Sequence, residues 1–178
     1  MINVQCQGDL TFDCWLQRRT GKDVSFYKTW DEYKEGFGTP PGDFWLGNEA
    51  MYNLTSKDDY ELRIEMQVNG NELYAQYTSF QVAEESDGYR LRLGSHSGTL
   101  EEMSSGLGFS YHNDQKFSTK DVDNDHWYFG NSAVTGQGGW WYNSGSWANL
   151  NDRWGDLRWF TGSEDFYPDA TEMKIRRI

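Results

Sequence analysis

Basic residues are scarce in this 178-residue chain. It carries 16 Lys and Arg against 28 Asp and Glu, a formal net charge of −12. Phosphate binding needs a basic face, so nucleic acid is excluded as an expected partner. An anionic membrane surface is disfavoured on the same ground. Long apolar runs are also missing, and no stretch approaches the roughly 20 residues of a membrane span. The opening Met1-Ile2-Asn3-Val4-Gln5-Cys6 lacks the basic and apolar regions of a secretory leader. The chain is therefore either cytosolic or one whose leader has been removed or lies upstream. Cysteines number two, Cys6 and Cys14, with a polar turn between them. A local hairpin disulfide and two free thiols both stay open, because spacing alone does not fix the geometry.

Signatures of catalysis are equally sparse. His96, His112 and His126 are widely spaced and form no His-x-x-x-His pair. There is no Gly-x-Ser-x-Gly nucleophile elbow and no phosphate loop. Among 28 acidic residues, nothing singles out two for glycoside hydrolysis. The expectation is a chain that is not an enzyme. No repeat at 20–50 residue spacing is visible either.

Aromatic residues are what the chain has in excess. Its 9 Trp, 11 Tyr and 10 Phe make up 17%, while hydrophobics reach only 37%. Disordered chains are aromatic-poor, so this is a folded domain with a polar surface. A chain of this length buries roughly 70% of its unfolded surface, enough for a real core.

Secondary structure reads as short pieces. Thr29-Trp30-Asp31-Glu32 has capping-box spacing and opens a short helix that Gly36 stops. Asn48 is the expected cap of a second helix over Glu49–Leu54. From Tyr60 to Val68, apolar and polar residues alternate without a break, which predicts a strand. Asn69-Gly70 then signals a hairpin, with Leu73–Val82 returning. Tyr89, Leu91 and Leu93 alternate with Arg90 and Arg92 in a further strand. Residues 60–95 should thus form an antiparallel sheet with one solvated face. Residues 103–146 are rich in Gly, Ser and Asn and show no helical pattern. Six of the nine Trp lie from Trp127 onward, in a loop-rich segment that packing, a metal or a ligand must pin. A last strand covers Glu172–Ile178.

Two constellations carry chemistry. Asp121-Val122-Asp123-Asn124-Asp125 puts three carboxylates and an amide within five residues. Hard oxygens at this spacing suit Ca²⁺, and a solvated acidic turn is the alternative. An EF-hand is rejected, since its Gly and Glu positions hold His126 and Ser132. The second constellation is Trp140-Trp141-Tyr142 with Trp147-Ala148-Asn149. Adjacent strand residues face opposite ways, so one Trp of the pair can join the core while the other faces a surface or groove. Exposed rings beside Asn amides make a sugar platform, although any single Trp is more often core. One N-glycosylation triplet, Asn53-Leu54-Thr55, is present and matters only in a secreted protein.

Several strings in order resemble one family. They are Gln17-Arg18-Arg19, Tyr33-Lys34-Glu35-Gly36-Phe37-Gly38, Phe44-Trp45-Leu46-Gly47-Asn48, Tyr60-Glu61-Leu62-Arg63, His112-Asn113 and Phe117-Ser118-Thr119. Asp121–Asp125, Trp140-Trp141-Tyr142, Asn149-Leu150-Asn151 and Met173-Lys174-Ile175-Arg176 continue the series. The chain resembles the fibrinogen C-terminal (fibrinogen-related) domain of fibrinogen, ficolins, tachylectins, tenascins and angiopoietins, from about Cys6 to Arg177. The resemblance implies an extracellular, secreted α+β domain with a central antiparallel sheet, short helices and a loop-rich C-terminal calcium and ligand region. One domain over 1–178 follows: an N-terminal part at about 1–55, a central sheet at 56–105 and 172–178, and a loop-rich ligand region at 106–171. Motif matching puts the calcium aspartates at Asp123 and Asp125, with backbone carbonyls near Trp127 and Phe129 completing the Ca²⁺ site.

Departures from the family accompany the matches. The disulfide flanking the calcium region is replaced by Asn131-Ser132-Ala133 and Gly145-Ser146. The acetyl pocket of the lectin members uses positions that here hold Ser146 and Gly136. A Cys6–Cys14 bridge would be a local replacement for the missing N-terminal partner. The resemblance implies a lectin-like domain that binds glycans, acetylated ones included, with calcium support, in innate defence. Trp127, Tyr142, Asn143, Ser146 and Trp147 are the expected contacts. The alternative is a protein-interaction domain of tenascin or angiopoietin type, binding a receptor or matrix protein in cell adhesion. A homo-oligomer assembled through regions outside this chain is the expected arrangement for weak, multivalent binding.

Overall fold

The computed structural model describes residue 12 and residues 14–100 and 107–178. In chain order the elements are β1 (Cys14–Arg19), α1 (Trp30–Glu35), β2 (Phe37–Gly38), β3 (Phe44–Trp45), α2 (Asn48–Thr55), β4 (Tyr60–Val68) and β5 (Asn71–Tyr77). There follow β6 (Phe80–Val82), β7 (Leu91–Leu93), β8 (His96–Gly98), α3 (Ser132–Gly136), β9 (Ala148–Asn149), β10 (Arg158–Phe160), β11 (Asp165–Phe166) and β12 (Ala170–Arg177). Seven strands make the main antiparallel sheet in the order β2-β3-β1-β12-β4-β5-β8, with β11-β10-β9 and β6-β7 as smaller sheets. This is an α+β architecture, as the family resemblance implies.

Local chemistry explains the clearest elements. The β4 alternation sets Leu62, Ile64, Met66 and Val68 into the core, while Arg63, Glu65 and Gln67 are half-buried on the other face. That face carries a ladder of opposite charges: Arg18 on Glu172 at 2.8 Å, and both Arg63 and Lys174 on Glu65 at 2.7 Å. Asn69 and Gly70 turn with φ of 51° and 78°, the left-handed pair of a two-residue hairpin. In α1, the Glu32 N–H donates to the Thr29 hydroxyl and the Thr29 N–H to the Glu32 carboxylate, a complete capping box. Gly36 ends this helix at φ 89°, where a Cβ would sit 2.4 Å from the Leu46 carbonyl oxygen. No other residue fits that approach.

Elsewhere longer-range contacts override the local pattern. The predicted return strand Leu73–Val82 breaks after Tyr77, where the Thr78 N–H donates to Ser95 O at 3.0 Å. Phe80–Val82 then pairs with β7 in a separate sheet. Tyr89, expected in that last strand, is left-handed (φ 50°) and fully buried, and β7 starts only at Leu91. Asn48 does not cap α2. It begins the helix after Gly47, and its Oδ1 accepts from Trp45 Nε1 at 3.0 Å. The stretch read as helix-free contains α3, five residues long, whose cap is Asn131. Trp140 and Trp141 are both fully buried. The segment is not a strand but a wedge between the sheet's core and the C-terminal loops, so protein covers both rings. Their centroids lie 5.4 Å apart, and Trp141 contacts Trp45 at 5.8 Å and Phe117 at 5.2 Å. Cys14 is disulfide-bonded. Cys6, its expected partner, lies outside the described residues. No described helix is long and apolar enough to cross a membrane.

Candidate functional site

Residues 117–152 are loop-rich, yet few of their polar groups are idle. Asp121 Oδ1 accepts from the Trp30 N–H at 3.0 Å, which satisfies an otherwise unpaired donor at the start of α1. Asn124 reaches Phe117 O at 2.8 Å, and Asn131 reaches Thr119 O at 3.0 Å. Asp125 uses both carboxylate oxygens: Oδ1 accepts from the Trp127 N–H at 2.6 Å and Oδ2 from the Ser132 N–H at 2.7 Å. The His126 N–H donates to Asn143 O at 2.7 Å, so the acidic loop is sewn to the Asn143–Gly145 turn. From below, Gln17 on β1 donates to Leu150 O at 2.9 Å and Asn151 Oδ1 at 3.2 Å.

These bonds enclose a cleft of about 320 Å³. Trp127, Ser132, Thr135, Ser144 and Ser146 line it, and the Ser132 hydroxyl accepts from the Gly145 N–H at 3.2 Å. Tyr142, Asp152 and Gly136 also line it, and a Cβ on Gly136 would come within 2.8 Å of the Tyr142 hydroxyl. The Tyr142 hydroxyl donates to Gly138 O and accepts from Asn149 Nδ2, both at 2.8 Å. Asp152 accepts from the Arg153 N–H at 2.8 Å and from Asn149 Nδ2 at 3.3 Å. Burial pushes its carboxyl up to about 7; the Arg153 N–H opposes the rise and Asp156 adds to it. Among the described residues no basic side chain lines the cleft. Arg153 and Arg19 act on the carboxylate from outside the lining and favour its charged form; within the cleft, the carboxylate and the Trp127 side chain together offer a place for a cationic group.

Three of the expected contact residues, Trp127, Tyr142 and Ser146, meet in this cleft. Two do not. Asn143 takes part in holding the acidic loop, its Oδ1 3.2 Å from His126 Nδ1. Trp147 is stacked on Phe160 at 4.8 Å, with Arg158 over both rings, so that indole face is already covered. Asp152, Ser132, Thr135 and Ser144 were not anticipated. No sequence signal marks Asp152, because its perturbation comes from burial by residues remote in sequence.

Asp123 and Asp125 sit on the loop above the cleft, and Phe129 projects from it, 86% exposed beside Tyr128 at 91%. Among the described residues no three carboxylates, imidazoles or thiols converge on one point. The loop offers two carboxylates and backbone carbonyls, a set of hard oxygens that fits Ca²⁺ in kind. Trp127 O already accepts from the Gly130 N–H at 3.2 Å. A larger hollow of about 570 Å³ lies over the outer sheet face. Its Arg18, Arg63, Glu65 and Glu172 are paired with one another or with Lys174 in the charge ladder.

A family model for the C-terminal globular domain of fibrinogen beta and gamma chains matches residues 1–175. Human angiopoietin-related protein 6 is 43% identical over 157 residues, covering 86% of this chain and 32% of that protein. Fibrinogen-like protein A of Apostichopus parvimensis is 38% identical, covering 99% and 65%. The chain thus spans about a third of the angiopoietin-related relative. The fibrinogen-like globe domain of human ANGPTL6 superposes with a TM-score of 0.80 at 39% identity, over 92% of this chain and 77% of that one. Lamprey fibrin D-dimer, complexed with the peptide Gly-His-Arg-Pro-amide, gives 0.79 at 29% identity, over 90% and 60%.

Proposed function

The chain belongs to the fibrinogen C-terminal domain family and has its globe fold, and from that premise we propose that it is an extracellular protein-recognition domain which takes a cationic peptide segment in the Asp152 cleft. The family's domains in angiopoietin-related proteins are binding domains, not enzymes. The observation that carries the reading is the cleft: a half-buried carboxylate and an indole side chain in one lining, with no basic side chain among its described lining residues. The lamprey fibrin neighbour is held with a peptide bearing a free amine and a guanidinium, which is the same ligand chemistry. A glycan reading loses two of its expected contacts, Asn143 and Trp147, to internal duties. Calcium belongs to the proposal as a brace: Asp123, Asp125 and the carbonyls of Trp127 and Phe129 would hold it and stiffen the loop above the cleft. A rise in melting temperature with Ca²⁺, reversed by chelation and absent in Asp123→Asn, is its test.

The probe for the cleft is Gly-His-Arg-Pro-amide, titrated calorimetrically into the full chain. Saturable binding is expected, lost in Asp152→Asn. Where the carboxylate must be ionised, affinity falls about tenfold per pH unit below 7. Absence of peptide binding together with binding of N-acetylated glycans would overturn the proposal.

A further inference from the structure

We propose that Asn53 is an N-glycan attachment site that is open on the unfolded chain and closed once the domain has folded. Asn53-Leu54-Thr55 is the only Asn-x-Ser/Thr triplet in the 178 residues. Such triplets are expected in surface loops, but this one lies in the last turn of α2. The two residues that matter have opposite environments. Asn53 is exposed, and among the described residues its amide donates to Glu49 of its own helix alone, to O at 2.8 Å and Oε1 at 3.3 Å. Thr55 is buried at 5%, and its hydroxyl donates to Met51 O at 2.9 Å while accepting from the Val82 N–H at 3.1 Å. In the folded domain the acceptor nitrogen is accessible, but the hydroxyl that completes the motif is not.

Chain order resolves the conflict. An isolated helix shorter than about 12–15 residues is marginal in water, and α2 has eight. It is held by packing on β6 and α1. Its hydroxyl partner, Val82, is 27 residues downstream. As the chain emerges, residues 53–55 have no stable helix and Thr55 has no partner until β6 follows. The triplet is then an open, polar segment, which is the form a glycosylating enzyme reads.

In the transfer, Asn53 Nδ2 attacks the anomeric carbon of a lipid-diphosphate-linked oligosaccharide. A C–N bond forms, the C–O bond to the diphosphate breaks, the lipid diphosphate leaves with the electron pair, and the amide gives up one proton. One N–H remains, enough for the 2.8 Å bond to Glu49 O, so the product folds with only the longer bond lost. The inference rests on the extracellular reading, since the donor lies in a secretory lumen.

The test expresses the full chain behind a secretion leader in animal cells and compares intact mass before and after peptide N-glycosidase. A glycan mass removed by the enzyme is expected, leaving a carboxylic acid at residue 53, and it should be absent in Asn53→Gln. Thr55→Ser, which keeps the hydroxyl, should retain it. In a second arm, folded chain from bacteria is incubated with detergent-permeabilised microsomes, which expose the lumenal transferase and its donor, and should stay unmodified while the same chain unfolded by reduction and denaturant dilution is modified. An unshifted mass for the secreted wild type, a shift surviving Asn53→Gln, or ready modification of the folded chain would each overturn the proposal. Peptide binding by the same secreted protein reports on the cleft separately, so failure of one reading is not mistaken for failure of the other.

Discussion

Asp152 and His112 oppose each other as pH changes. His112 is fully buried, between Trp141 O at 2.8 Å on Nδ1 and the Ala148 N–H at 3.2 Å on Nε2. Those partners fix the neutral tautomer, with Nδ1 donating and Nε2 accepting, and burial lowers the ring to about 4 from 6.5. The unfolded chain binds the proton more readily, so stability contributed by His112 is lost as pH falls from 6.5 toward 4. Asp152 is shifted the other way, from 3.8 to about 7, so the folded state binds its proton more readily. Its burial costs least when it is protonated, and stability rises as pH falls from 7 toward 4. Asp152→Asn removes the second effect and leaves the first. The variant should lose stability to the wild type on acidification from pH 7 to 4, read as urea midpoints across that range. A difference independent of pH would show that Asp152 is not the titrating group. Tyr142→Phe removes a hydroxyl that serves both Gly138 O and Asn149 Nδ2. Leaving buried polar groups unpaired costs about 1–3 kcal/mol each, so denaturant unfolding should reveal a loss of that order.

At the scale of elements, what was legible depended on how local the cause is. The box of α1 and the alternation of β4 are written within nine residues or fewer, and both appear where the sequence puts them. Thr29→Ala should therefore cost about 1 kcal/mol, measurable by thermal unfolding, since only the cap is removed. The split of the return strand into β5 and β6 was not legible, because it depends on Ser95 drawing the Thr78 N–H out of line. The short helix α3 escaped for a different reason: five residues are too few to show a period, and the Asn131 cap that starts it is common in turns. Core burial, the better reading for any single Trp, holds for both Trp140 and Trp141; that the pair is covered on both sides was not legible, because it depends on how the chain folds back over it. Trp127, Tyr142 and Ser146 of the cleft were legible through the family resemblance, whereas Asp152 was not, having no local mark.

For the whole molecule, the acidic balance and the exposed aromatics point the same way. With a net charge of −12, association with a cationic partner should slow as salt rises, because the screening length falls from about 30 Å at 0.01 M to about 3 Å at 1 M. Stopped-flow rates over that range check it. Tyr128 and Phe129 stand almost free of the fold, their rings 5.1 Å apart, so they contribute little to its stability. Replacing both by Ser should shift unfolding by no more than about 0.5 kcal/mol, and should weaken partner binding if they flank the docked peptide. The main sheet has a mechanical consequence. Residues 14–19 and 171–175 lie side by side and antiparallel, with Cys14 opposite Ile175. A pull applied to the chain ahead of Cys14 and beyond Ile175 loads their hydrogen bonds one after another, from that end inward, rather than all at once in shear. Such a joint peels like a zipper under modest tension, so this domain yields early when stretched between its flanks.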